Sequence, residues 1–156
     1  MQGNASKYLV VETAGSGIVN GLLNFASAYA IFHGHIAIPA VGPGSLLRDS
    51  IGETFIVSFL SVLIPSFIAR HRRRAGKLPV SPNSNPKPAG NLWVRSLTIG
   101  LIFTAVGVSC NALLLPRMFS EIVSLRNVLL FKTFYGVLIG SIATFLAVQR
   151  VLAEAR

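Results

Sequence analysis

Residues 51–59, IGETFIVSF, and residues 130–138, LFKTFYGVL, decide how this chain is read. Glu53-Thr54-Phe55 in the first and Lys132-Thr133-Phe134 in the second open two apolar runs, 79 positions apart. At the same offset Gly21-Leu22 meets Gly100-Leu101, and Ser45-Leu46 meets Ser124-Leu125. Each half then carries two long apolar segments, which predicts a duplicated pair of membrane helices. An even number of spans per half makes both halves enter from the same side. The repeat is therefore expected to be parallel, about an axis along the membrane normal.

Composition supports that class. The 156 residues are 52% apolar and 12% charged, with a mean hydropathy of +0.63, unlike an ordinary soluble domain. Crossing a hydrocarbon core takes about 20 predominantly apolar residues. Four segments approach this length, at about 13–32, 51–69, 96–115 and 128–149. A helix satisfies its own backbone hydrogen bonds in lipid, so the expected fold is an all-α integral membrane protein with four transmembrane helices. A first two-helix hairpin takes residues 1–77, a proline-rich linker 78–91 and a second hairpin 92–156. Ala26-Ser27-Ala28 resembles a signal cleavage site, but the length of its apolar run and its equivalence to the third run predict that it is retained. Cys110 is the single cysteine, which leaves redox compartment undetermined.

Charge placement gives the orientation. Lys7, the stretch from Arg70 to Arg95 and the tail hold most of the 14 Lys and Arg residues, whereas the opposite loops hold only Arg48, Arg117 and Arg126. Short positively charged loops stay cytoplasmic, so both termini are expected to be cytoplasmic, in a bacterial inner membrane. The net charge of +9 is thereby a topology signal and not a sign of nucleic-acid binding. Arg70, Arg72, Arg73 and Arg74 are expected to contact anionic lipid headgroups, each contributing about 1 kcal/mol. Pro79, Pro82, Pro86 and Pro88 exclude a helix from the linker that follows.

Few residues within the spans suggest specific interactions. Gly17 with Gly21, and Gly136 with Gly140, lie one turn apart and let another helix approach closely. Ala26 and Ala30 are expected to prolong the first of these faces. Asn20 and Asn24 share a helix face; with Asn111 they are candidates for interhelical hydrogen bonds or for the polar lining of a solute path. Pro65 is expected to kink its helix, with Ser61 close to the freed backbone. Glu53 and Lys132, at equivalent depth in parallel halves, are a candidate ion pair. The helix dipole accounts for Glu12. His33 and His35, with Asp49 or Glu53, lack the spacing of a metal framework. Neither a catalytic constellation nor a cofactor motif is recognisable.

Two functions compete on this reading. One is a non-catalytic accessory or assembly subunit that packs against other membrane helices as a homo- or hetero-oligomer. The other is a small oligomeric transporter or channel for an ion or small solute, supported by the asparagines and Pro65.

Overall fold

A computed structural model describes residues 2–35, 37–78, 90–119 and 121–154. The proline-bearing stretch of the expected linker, 79–89, lies outside the described residues. The described residues fold into four α-helices, α1 (Gln2–Phe32), α2 (Leu46–Arg74), α3 (Leu92–Met118) and α4 (Leu125–Leu152). Two short strands, β1 (Ile38–Pro39) and β2 (Ile122–Val123), pair antiparallel and tie the α1–α2 loop to the α3–α4 loop. Each helix is long and apolar enough to cross a membrane.

α2, α3 and α4 outrun the expected spans at both ends, and α1 outruns its span at the start while ending at Phe32 as expected. Arg72, Arg73 and Arg74 lie in the last turn of α2, where their positive charge faces the negative end of the helix dipole. There Gly76 N bonds Arg73 O at 3.0 Å and Lys77 N bonds Arg72 O at 2.9 Å. This is a Schellman closure, for which Gly76 takes a φ of +71°. At the opposite end Ser45 and Ser124 cap α2 and α4, accepting from Arg48 N at 3.2 Å and Asn127 N at 3.4 Å.

The helices run alternately up and down, but sequence neighbours are not packing neighbours. α1 packs along α4, α2 packs along both α3 and α4, and α1 hardly touches α2. The two units expected as hairpins are thus hairpins in connectivity only. The reason lies in the small residues. A Cβ on Gly136 would sit 2.8 Å from Asn20 O, and one on Gly21 would sit 2.5 Å from Val137 Cγ2. Both glycine pairs are therefore used against each other, at the α1·α4 contact. The buried face of α1 continues through Asn24 and Ala28, whereas Ala26 and Ala30 point outward. Helical geometry explains this difference, since one face follows steps of three and four residues.

Gly100 and Gly107 make the corresponding contact between α3 and α2. A Cβ on Gly100 would meet Phe55 and Phe59, and one on Gly107 would meet Thr54 on α2 and Tyr135 on α4. An apolar cluster including Phe32, Ile38, Leu46, Leu115 and Val128 fills the loop end. Tyr8, Ala69, Leu78, Val148 and Val151 fill the other.

Candidate functional site

Polar side chains gather at three depths along the central pair of helices. At the loop end Lys132 of α4, 1% exposed, bonds both Asp49 and Glu53 of α2. The two carboxylates are one helical turn apart and lie on one face. Their joint negative charge offsets the desolvation of a buried ammonium, which alone would cost several kcal/mol. Asp49 remains a quarter exposed, while Glu53 Oε1 is buried without a partner. The offset of 79 had singled out Glu53 and Lys132; Asp49 was noticed only beside the histidines. Its position one turn before Glu53 was the available signal. The His33 ring lies tilted against Tyr29 and the His35 ring meets Phe32 edge-on instead. Among the described residues, no cluster of three or more His, Cys, Asp and Glu side chains could hold a metal ion.

Midway along the bundle Asn20 Nδ2 bonds Ser61 Oγ at 2.9 Å and Ser16 O at 2.8 Å. Thr144 of α4 completes this network. Its hydroxyl proton is shared between two acceptors, Ser16 Oγ at 2.6 Å and Ser61 O at 3.1 Å. Ser61 O is the carbonyl that Pro65, lacking an N–H, leaves unpaired four residues upstream. Thr144 thus repairs the gap that proline opens in α2. Asn24 is buried against Gly136, with Nδ2 unpartnered. Asn111 sits apart from both, on α3, beside Tyr135.

At the end where the termini meet, Glu154 is 3% exposed and is gripped by Arg70 through two bonds of 2.7 and 2.6 Å. Arg95 of α3 reaches the same carboxylate at 3.3 Å and also bonds Ser66. Arg73 donates to Val151 O at 2.8 Å and to Glu154 O, closing the C-terminal turn of α4. Of the four arginines expected at lipid headgroups, Arg70 and Arg73 are therefore spent inside the protein. Arg72, half exposed, lies 3.6 Å from Glu12 and over the Tyr8 ring. Arg74 is exposed. Glu154 and Arg95 escaped sequence reasoning because their partners lie on other helices, far off in the chain.

A groove of about 840 Å³ lies between α3 and α4. It opens because α3 leans on α2 while α4 leans on α1 and α2, so these consecutive helices diverge. Val106, Cys110, Leu138 and Ile142 line it, with Asn111 and Tyr135 as its polar members in the interior. Tyr135 OH lies 2.7 Å from Thr54 Oγ1, and Thr54 gives its own proton to Ser50 O. Tyr135 is accordingly the donor in that pair.

These features define the class as far as length and composition carry it: among the described residues, four helices each long and apolar enough to cross a membrane, joined by buried polar clusters. Comparison with protein-family models, with curated proteins and with solved structures finds no match for this chain. Its function must therefore be argued from the geometry.

Proposed function

We propose that this chain is a non-catalytic multi-pass membrane protein that acts as an accessory or assembly subunit, packing against other membrane helices. The carrying observation is the surface of the two outlying helices. Ile18, Leu22 and Leu23 of α1 and Leu101, Ile102 and Leu113 of α3 are all more than half exposed. Meanwhile the Gly17–Gly21 face is occupied within the chain. Continuous apolar surfaces of this kind need lipid or another helix to cover them.

The proposal takes a bacterial inner membrane with both termini cytoplasmic. The start of α1, the end of α2, the start of α3 and the end of α4 share one end of the bundle, and most of the basic residues gather there. Of the four arginines of this cluster, Arg72 and Arg74 are left to meet anionic headgroups at that face. A parallel duplication is supported by the packing itself. Exchanging the halves turns the α1·α4 contact into the α3·α2 contact and leaves α2·α4 in the middle. Glu53 and Lys132, which that exchange would interchange, bond each other.

Purification in mild detergent, with determination of mass and of co-purifying chains, tests the reading. A stable complex with other membrane proteins supports it. The alternative, a small oligomeric transporter or channel, draws on the central network of Ser16, Asn20, Ser61 and Thr144 around Pro65. A homo-oligomer that passes solute in liposomes, and loses that flux in a folded Asn20→Leu variant, would replace the subunit reading with the transport one.

A further inference from the structure

We propose that Lys132 and Asp49 are a covalent modification site: the Lys132 amine condenses with the Asp49 carboxyl to an amide, with Glu53 carrying the proton, and so cross-links α4 to α2. The cation found at each end of the bundle points to this. Glu154 is held by the guanidiniums of Arg70 and Arg95, which suit carboxylates and stay protonated. Asp49 and Glu53 instead share one lysine, whose nitrogen is a nucleophile once it gives up a proton. Lys132 is 1% exposed, whereas Lys7 and Lys77, the other described lysines, are exposed. One turn from Asp49 and from Lys132, Leu46 and Val128 belong to the fully buried apolar cluster of this end.

Burial sets the direction of the reaction. In water, solvation of the ammonium and of the carboxylate favours the separate ions over an amide. Inside the protein that solvation is lost, and condensation replaces two buried charges with one neutral group. The ion triad is the state from which the bond forms. One Lys132 proton passes to the Asp49 carboxylate, giving a free amine and a carboxylic acid. The amine attacks Asp49 Cγ, and Glu53 takes a second proton from the nitrogen and delivers it to the departing hydroxyl. A bond between Nζ and Cγ forms, a bond between Cγ and oxygen breaks, one water leaves, and Glu53 ends as the carboxylate it began. Exposure divides the two acids between these roles. Glu53, 9% exposed, has Oε2 on Lys132 and Oε1 buried without a partner, so one oxygen is free to hold the proton in transit. Asp49, a quarter exposed, opens to the surroundings into which the water escapes.

The test is the intact mass of the full chain, purified in mild detergent, incubated at neutral pH and then denatured. It should fall below the mass encoded by the sequence by one water. Trypsin should leave Lys132 uncut and release a branched peptide joining residues 49–70 to residues 127–150, with fragment ions that place the bond on Asp49. Lys132→Arg, which keeps the charge but has no amine to condense, should show its encoded mass, and so should Asp49→Ala. Glu53→Gln, of the same shape but unable to take up the proton, should slow the loss of water by about a hundredfold or more. An unaltered chain with the encoded mass overturns the proposal. So does a loss of water that persists in Lys132→Arg or leaves Lys132 open to trypsin, the mark of Asp49 dehydrating onto its own backbone. A branch on Glu53, or an undiminished rate in Glu53→Gln, overturns the roles given to the two acids. The mass and branched peptide of the unaltered chain decide the matter even where a variant fails to fold.

Discussion

Lys132 is the largest of the fully buried side chains, and at the scale of single residues it carries the sharpest expectations. Its ammonium is stabilised by Asp49 and Glu53 together, so Lys132→Met would leave two carboxylates facing each other in an apolar setting. Breaking a buried pair from one side costs about 3–5 kcal/mol, and denaturant titration in micelles should register a loss of that size. Adding Glu53→Gln to Lys132→Met should recover part of it by removing one charge. Reversing both members, Glu53→Lys with Lys132→Glu, should recover stability lost in either reversal alone; an unshifted midpoint for Lys132→Met would deny the triad any structural role. Glycines give a second contrast. Gly136→Ala pushes a methyl against the Asn20 carbonyl and should cost about 1–3 kcal/mol by overpacking. Gly15→Ala, where nothing lies within 4 Å, should be neutral or stabilise by up to about 1 kcal/mol. The same titration compares them.

At the scale of elements, α2 is a continuous helix from Leu46 to Arg74 despite Pro65, because Thr144 on another helix supplies the missing donor to Ser61 O. Thr144→Val should therefore cost about 1–2 kcal/mol, the penalty for an unsatisfied buried acceptor. The same change made in a Pro65→Ala background, where the backbone N–H returns, should cost measurably less. A double-mutant cycle reads the difference, and additive effects would separate Thr144 from the proline. Sequence inspection found the proline and Ser61 but not the threonine. Local spacing identifies which carbonyl a proline frees; it does not say which side chain from elsewhere will reach it.

For the whole molecule, the decisive fact is that each half packs chiefly on the other. With α1 against α4 and α3 against α2, neither residues 1–77 nor residues 92–156 hold a closely packed pair of helices by themselves. Expressed alone, each half should be degraded or aggregate; expressed together as two chains, they should co-purify as a folded complex with the melting behaviour of the intact protein. A half that is stable in isolation would show the hairpins to be independent units after all. The same interlocking explains why the site was only partly legible. The 79-residue offset put Glu53 and Lys132 at equivalent positions, and the folded chain brings them together. Glu154 with Arg70, Arg73 and Arg95, and the groove beside Asn111, depend on contacts between helices that no spacing along the chain encodes.

The sequence by itself determined the number of helices, their apolar length and the end at which basic charge collects, because hydropathy and charge act over a single span whatever its neighbours do. Only the tertiary structure decided which helix lies against which, whether the glycine faces serve within the chain, and where α3 and α4 part. Small-residue faces are alike in composition; their choice of partner follows from the relative rotation and depth of all four helices, fixed jointly by close backbone approach and by polar bonds between residues far apart in sequence.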